Sequence, residues 1–459
     1  MKTAMEEKKS VIGNKMKTSQ KITFGFGNLA ANLLITTASG FITYYYTDVV
    51  GISVGVVGIL LMCARWFDGF TDLVMGAIVD KTRSKYGKAR PWLLWMAIPY
   101  SIALILMFTS PEIGQTGKAI YAFITYAFAG GIVYTAITVP YNSMIGTMTQ
   151  NQKERGELSV SRTCFGFIGA MFVNFMTLKV VNFFGGGKIG WMAMAASFGV
   201  VSTLLWLIVF KNSREVVIQE DIKEENKIST LDGVKALFKN KYWLIIISVM
   251  LITFTSAGLQ GINIYYAQYI LKDINKVGII GIASFLPIAI GSLIMGGLMK
   301  KFSNKSLMMV GNLLMLIGLV IVALYPENFM MVLIGTIIKS IGIAPSAVAG
   351  FAMLGDCSDY GEWKTGIRTD GLIFSASTFG EKVGSGLGAL ILSIVLAVGG
   401  YVSQASVQSA STITAIKVVF IYIPMILTII GTIIISFYKL DSEYPKIIKE
   451  LEERRKKKE

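Results

Sequence analysis

Apolar segments, each roughly 20 residues long, recur along the whole chain between short polar stretches, and this length crosses the hydrocarbon core of a bilayer as an α-helix. The ten-residue alternation that is typical of a membrane β-barrel does not occur. The pattern therefore predicts an all-α membrane protein with about twelve transmembrane helices. The predicted helices cover about residues 23–47, 54–79, 91–110, 119–147, 158–182, 190–210, 242–270, 278–299, 306–325, 329–354, 371–398 and 413–438.

A long charged stretch, which contains the run SREVVIQEDIKEENK, divides these segments into two sets of six. The loop after the second helix of each set carries a similar sequence, GAIVDK in one and GGLMKK in the other. Such a parallel repeat is typical of transporters whose halves move around a central site. We predict an N-terminal tail at 1–21, six-helix bundles at 22–210 and 242–438, a central loop at 211–241 and a C-terminal tail at 439–459.

The charged residues indicate the orientation in the membrane. The chain contains 43 Lys and Arg against 28 Asp and Glu, a formal net charge of +15, and the basic residues cluster in alternate loops. Because positive loops stay in the cytoplasm, both tails and the central loop are predicted to be cytoplasmic in a multi-pass protein of the cell membrane. The basic residues are not interleaved with aromatic ones, so the lipid bilayer is the expected partner and nucleic acid is not.

The composition argues against an enzyme. The chain has no His, its three Cys residues lie far apart, and no Walker A sequence is present. A Ser-His-Asp triad, a His metal ligand and ATP hydrolysis are therefore not expected. We predict no cofactor and no obligate protein partner.

The run RWFDGFTD at residues 65–72 places charges inside an apolar segment. Arg65, Asp68 and Asp72 fall on one face of the predicted helix, with the two carboxylates about 6 Å apart. A charge at bilayer depth costs a few kcal/mol or more, so it normally marks an ion or substrate pathway. The run predicts that something charged binds here.

Several motifs together resemble the glycoside–pentoside–hexuronide:cation symporter family, the branch of the major facilitator superfamily that contains the melibiose permease. They are YYYTDVVG at 44–51, RWFDGFTD at 65–72, KTRSKYGK at 81–88, Pro140-Tyr141 and DCSDYGEWK at 356–364. The resemblance covers nearly the whole chain. It implies a major facilitator fold of two six-helix bundles and inward symport of a glycoside, pentoside or hexuronide with Na⁺, H⁺ or Li⁺.

The resemblance implies that Asp68 and Asp72 bind the coupling cation, which makes them the metal ligands if the ion is Na⁺. Thr71 and Thr135 are expected to assist. A lysine at the position of Lys382 lies near the acids in the family, where its ammonium would neutralise them until the cation displaces it. Arg65 is expected to be structural, because it would repel a cation. Na⁺ is favoured over H⁺, although two close carboxylates are also able to bind a proton.

The sugar site is expected on the polar faces of four helices, at Asn28, Asn32, Tyr134, Thr138, Tyr141, Asn142, Arg162, Gln260 and Asn263. The melibiose permease carries acids at the positions of Asn32 and Thr138, so the resemblance argues against melibiose as the substrate. Arg162 is able to bind a sugar hydroxyl or a uronate carboxylate. The alternative for these side chains is hydrogen bonding between helices.

Two charged loops at matching cytoplasmic places are predicted to form ion pairs that close the cytoplasmic side, with plain solvated loop charge as the alternative. The gating residues are Asp80, Lys81, Arg83, Arg90, Asp356, Asp359, Glu362 and Arg368.

The sequence thus predicts a cation-coupled symporter with a small-molecule glycoside and a monovalent cation as partners. A lysophospholipid symporter and a non-transporting membrane sensor are the alternatives.

Overall fold

The computed structural model describes residues 16–149, 151–216, 235, 237–366 and 370–456. In this part of the chain every regular element is helical. We name the long helices α1 to α13 in chain order, and α3 consists of two pieces. They are α1 (Thr18–Tyr44), α2 (Val54–Lys81), α3 (Arg90–Trp95 and Ala97–Met107), α4 (Gln115–Met148), α5 (Gln152–Phe183), α6 (Gly187–Asn212), α7 (Lys241–Ile270), α8 (Lys276–Leu298), α9 (Asn304–Leu324), α10 (Phe329–Thr365), α11 (Asp370–Val398), α12 (Ala410–Ser436) and α13 (Leu440–Lys456).

Ten of these helices, α2 and α4 to α12, are long and apolar enough among the described residues to cross a membrane. The predicted all-α membrane fold is therefore confirmed. Helices α1 and α3 occupy the places of the first and third predicted spans, and their crossing stays a prediction. Helix α13 follows the last span and is rich in charged residues.

The chain divides into two compact units, with the division between Lys223 and Glu224. In the first unit, α1 packs against α5 and α6, and the second piece of α3 also packs against α6. In the second unit, α9 packs against α10 and α7 against α11. The prediction of two bundles flanked by cytoplasmic segments stays a prediction.

Irregular turns interrupt the helices at places that matter for the candidate sites. Helix α4 contains a π-helical segment at Phe128–Tyr134, and α7 contains a 3₁₀ turn at Leu259–Gly261. Such interruptions change the direction of the side chains that follow, and π-helical turns are frequent at functional sites. Other π-helical segments are Tyr45–Val49, Tyr266–Ile270 and Val418–Tyr422.

Glycine allows the backbones of α9 and α10 to touch. A Cβ atom on Gly318 would collide with the carbonyl oxygen of Gly335, and one on Gly311 would collide with that of Gly342. Small residues are the usual means by which membrane helices approach closely. This contact fixes the first half of α10 against α9.

Candidate functional site

Asp68 and Asp72 of α2 meet a single hydroxyl group of α4. Thr135 Oγ1 lies 3.0 Å from Asp68 Oδ1 and 2.8 Å from Asp72 Oδ1. Asp68 and Thr135 are each 1% exposed, and Asp72 is half-buried. The structure therefore brings three of the predicted cation-coupling residues together inside the first unit.

The single hydroxyl hydrogen of Thr135 limits the hydrogen bonds that this cluster can form. The Thr135 hydroxyl has one hydrogen, so it donates to only one of the two carboxylates at a time. Two carboxylates that converge on one hydroxyl, here one buried and one half-buried, repel each other unless a positive charge or a proton comes between them. Oxygen atoms of this kind are the ligands of hard cations. The cluster is suited to bind a small cation or a proton.

Arg65 contacts the other oxygen of the Asp68 carboxylate. Its Nη1 lies 3.8 Å from Asp68 Oδ2, the oxygen that does not contact Thr135. Its Nη2 donates a hydrogen bond of 3.1 Å to Ser39 Oγ on α1, and its guanidinium lies 5.7 Å from the ring centroid of Tyr126 on α4. Arg65 thus links α2 to two neighbouring helices, and these contacts agree with its predicted structural role.

The hydroxyl of Thr71, which was predicted to assist cation binding, is hydrogen-bonded within its own helix. It donates a hydrogen bond of 2.9 Å to the backbone carbonyl of Asp68, three residues earlier in α2. The hydroxyl hydrogen is therefore used within its own helix, and only the oxygen lone pairs are available for a cation. Its role as a ligand stays a prediction.

Sequence reasoning did not identify the backbone feature that positions Thr135. The π-helical segment ends at Tyr134, and the carbonyl of Gly130 lies 3.4 Å from Thr135 Oγ1. A Cβ atom on Gly131 would lie 2.8 Å from Phe67 Cδ1, so glycine at this position leaves room for the Phe67 ring of α2. The adjacent glycines at 130 and 131 were the available signal.

The predicted polar face of α1 forms a hydrogen-bonded ladder. Thr36 donates to Asn32 Oδ1 at 2.8 Å, and Asn32 Nδ2 donates to the Asn28 carbonyl at 2.8 Å. Asn28 Nδ2 donates to the Arg162 carbonyl of α5 at 2.9 Å. Asn28 and Asn32 are half-buried, so they serve partly as contacts within and between helices. Their binding to a sugar stays a prediction.

The predicted sugar ligands of α4 have different surroundings. Tyr141 is 1% exposed, stacks on Phe24 and donates a hydrogen bond of 2.6 Å to the Phe24 carbonyl, so it packs in the interior. The Thr138 hydroxyl donates to the carbonyl of half-buried Tyr134 at 2.8 Å. These contacts give Tyr141 and Thr138 roles within the bundle.

Asn142 and Arg162 form a pair that joins α4 to α5. Arg162 Nη1 donates to Asn142 Oδ1 at 2.6 Å; Asn142 is exposed and Arg162 half-buried. The guanidinium keeps other donors for a ligand oxygen. This pair is the most accessible of the predicted sugar contacts in the first unit.

In the second unit, Gln260 and Asn263 line a cavity of about 190 Å³. Gln260 lies in the 3₁₀ turn Leu259–Gly261, and Asn263 follows it. Gly258 precedes this turn and Gly261 ends it, and the helix changes its geometry there. The lining also contains Asn312 and residues of α8, α10 and α12, so these two amides face a space that could hold a ligand.

Lys382 lies half-buried on α11, in the second unit. Its backbone carbonyl accepts a hydrogen bond of 3.0 Å from Ser385 Oγ. Its predicted interaction with the acids of the first unit stays a prediction.

The predicted gating residues of the first unit differ in exposure. Asp80, Lys81 and Arg83 are exposed at the end of α2 and in the loop that follows. Arg90 is half-buried, donates from Nε to the Phe210 carbonyl at 2.9 Å and lies 4.5 Å from the Phe210 ring centroid. Arg90 is therefore held within its own unit.

Glu215 anchors this loop and was missed by sequence reasoning. Its carboxylate accepts hydrogen bonds from the backbone N–H groups of residues 88 to 90, at 3.1, 2.8 and 2.6 Å. These groups precede or begin the first piece of α3, and a carboxylate at a helix N-terminus is stabilising. Because the contact spans more than 120 residues of sequence, no local pattern could reveal it.

The predicted gating acids of the second unit, Asp356, Asp359 and Glu362, are half-buried near the end of α10. Helix α13 packs there, and Tyr444 donates a hydrogen bond of 2.7 Å to Asp359 Oδ2. Burial, together with this bond, raises the pKa of Tyr444 above its usual range. Arg368 lies outside the described residues. The interior of this unit thus extends to α13, which the sequence analysis treated only as a tail.

Comparison with known proteins identifies the family of this chain. The family described as "MFS/sugar transport protein" matches residues 23–442. The isoprimeverose transporter of Lactiplantibacillus pentosus is 30% identical over 449 residues, which cover 96% of this chain and 92% of that protein. The putative glycoside/cation symporter YagG of Escherichia coli (strain K12) is 30% identical, with 92% and 91% covered.

A solved structure supports the fold alone. The bacterial homolog of the human lysosomal transporter Spinster, in an inward-facing conformation, matches with a TM-score of 0.67 and 12% identity, covering 96% of this chain and 98% of that chain. The family match and the relatives make the protein a multi-pass membrane transporter of the sugar symporter type. They also confirm the prediction that it is not an enzyme. The chain belongs to the glycoside–pentoside–hexuronide symporter family of the major facilitator superfamily.

Proposed function

We propose that the protein carries a glycoside, pentoside or hexuronide into the cell together with a monovalent cation, by alternating access, and that Na⁺ is the coupling ion. The observation that carries the proposal is the Thr135 hydroxyl, within hydrogen-bond distance of both Asp68 and Asp72. The family relationship supports sugar transport. The ion is argued from the cluster itself.

Na⁺ fits the cluster better than a proton does, because the cluster offers several oxygens. A proton would need one carboxylate alone, whereas a hard cation gains from both carboxylates and from the neutral oxygen of Thr135. Na⁺ would bind the two acids at once and remove their mutual repulsion. In this proposal Lys382 neutralises the acids in the absence of the cation and is released when the cation binds.

The substrate is proposed to contact the accessible amide and guanidinium groups of both units. In the first unit these are Asn28, Asn32 and the Asn142–Arg162 pair. In the second unit they are Gln260 and Asn263, which line the cavity. Amides both donate and accept hydrogen bonds, which suits sugar hydroxyl groups.

The test is uptake into vesicles with an imposed Na⁺ gradient or an imposed pH gradient. We expect the Na⁺ gradient to drive glycoside accumulation by the natural protein, and Asp68→Asn to abolish it while the protein still inserts. Glu112→Gln is the matched control. Glu112 is an exposed loop acid whose pKa is lowered by a hydrogen bond from Lys188, and it is remote from the cluster in sequence.

The gradients also separate the alternatives. Uptake driven by the pH gradient alone would assign H⁺ as the coupling ion. Uptake of a labelled lysophospholipid in place of every glycoside tested would contradict the sugar assignment.

A further inference from the structure

The wall of the cavity in the second unit carries a lysine ammonium group to which the proposed function gives no role. Lys339 of α10 lies on this wall, in the first third of the helix Phe329–Thr365. Among the described residues no carboxylate lies within 4.0 Å of its ammonium, and no acidic side chain lines the cavity. Its described contact is with the ring of Phe420, whose centroid is 5.7 Å from Nζ.

A second polar group on this wall also has no protein partner. Ser340 is 0% exposed to solvent, lines the same cavity, and its hydroxyl makes no hydrogen bond in the described part of the chain. A buried hydroxyl without a partner costs free energy, which a ligand that accepts its hydrogen bond would recover. The two adjacent residues therefore offer a positive charge and a hydrogen-bond donor.

The rest of the wall is suited to a sugar. Gln260 and Asn263 of α7 and Asn312 of α9 contribute amides, and Phe285 and Phe420 contribute aromatic rings. The close glycine contacts between α9 and α10 hold Asn312 and Lys339 on neighbouring helices. Apolar surface with a few polar groups is typical of small-molecule sites.

An ammonium at bilayer depth is expensive and normally faces a partner or a substrate pathway. A cation–π contact alone offsets only part of that cost. We propose that Lys339 and Ser340 form a subsite for an anionic group, a carboxylate or a sulfonate, on the transported glycoside. The proposal rests on the proposed function and narrows it to acidic sugars. The amides of the same cavity would then bind the neutral hydroxyl groups of the ring.

The test is calorimetric binding to the purified protein, which needs no ion gradient. The probes are methyl glucuronide, methyl glucoside and a methyl glycoside of a 6-sulfonated glucose, which differ only at carbon 6. Because a hydrogen bond to a charged group is worth roughly 1.5–3 kcal/mol, the acidic probes should bind the natural protein at least about tenfold more tightly than the glucoside. The two acidic probes show whether carboxylate or sulfonate fits better.

Lys339→Met should remove this preference and leave glucoside binding within about twofold, since a charge-assisted bond is lost and no neutral contact is. Lys339→Arg should keep part of the preference. Lys179→Met is the matched control, because Lys179 also lies over an aromatic ring, Phe175, but on the exposed surface of α5 in the first unit. It should change nothing.

Three results would overturn the subsite. If all three probes bind the natural protein equally, or if Lys339→Met weakens the glucoside as much as the glucuronide, Lys339 has a structural or coupling role and the proposed transport function stands. If none of the probes binds, the subsite fails, and the proposed function is then decided by the vesicle uptake described above.

Discussion

Replacing Thr135 with valine removes one hydroxyl group from the cation cluster and keeps nearly the same side-chain shape. Thr135 is 1% exposed, and its Oγ1 lies 3.0 and 2.8 Å from the carboxylates of Asp68 and Asp72. The variant keeps both carboxylates and loses the neutral oxygen between them. We therefore expect weaker Na⁺ binding without loss of the binding charge.

The size of the effect follows from the contacts that are lost. A hydrogen bond to a charged group contributes roughly 1.5–3 kcal/mol. Since 1.4 kcal/mol corresponds to a factor of ten, the Na⁺ concentration that gives half-maximal uptake should rise roughly 10- to 150-fold. Maximal uptake at saturating Na⁺ should fall much less, because the sugar contacts remain.

The assay is the initial rate of glycoside uptake into vesicles at increasing Na⁺ concentration. Thr177→Val is the matched control: Thr177 is 0% exposed, but its hydroxyl donates only to the backbone carbonyl of Val173 in α5. An unchanged Na⁺ dependence in Thr135→Val, or an equal rise in Thr177→Val, would refute the assignment of Thr135 to the cation cluster.

Two further predictions concern the backbone around the sites. Gly131→Ala should weaken Na⁺ activation of uptake, because its Cβ would press on Phe67 and move α2 away from α4. Gly130→Ala should leave Na⁺ activation unchanged, because its Cβ would meet nothing within 4 Å. Equal effects of the two substitutions would contradict this explanation. Glu215→Ala should destabilise the protein by roughly 1–3 kcal/mol, seen as a lower thermal unfolding temperature in detergent, because backbone N–H groups lose their acceptor. The unfolding temperature of Glu215→Gln should lie between those of the natural protein and Glu215→Ala. An unfolding temperature of Glu215→Ala equal to that of the natural protein would rule out the anchoring role.

The sequence was sufficient to predict the helices and the placement of Asp68 and Asp72 on one helix face. Apolar segments of bilayer length predict membrane helices directly, and the spacing of Asp68 and Asp72 places both acids on one face. Thr135 came from the family resemblance together with the general need for oxygen ligands, and the structure places its hydroxyl between the two acids.

Other features escaped prediction because they depend on contacts between distant segments. The hydrogen bond from Tyr141 to the Phe24 carbonyl of α1 was not predicted. Glu215 binds backbone groups more than 120 residues away. Lys339 lies inside the predicted apolar segment 329–354, and only the packing of α10 against its neighbours shows that it faces a cavity. Local patterns specify helices, but not which side chains of different helices meet.

The proposed mechanism requires that sugar and Na⁺ move together. The decisive measurement is the movement of radioactive sodium when a glycoside is added to vesicles that contain the natural protein, with equal Na⁺ on both sides. Inward glycoside flow should draw sodium inward, and Asp68→Asn should abolish this sodium movement. Glycoside entry without any sodium movement would contradict this mechanism.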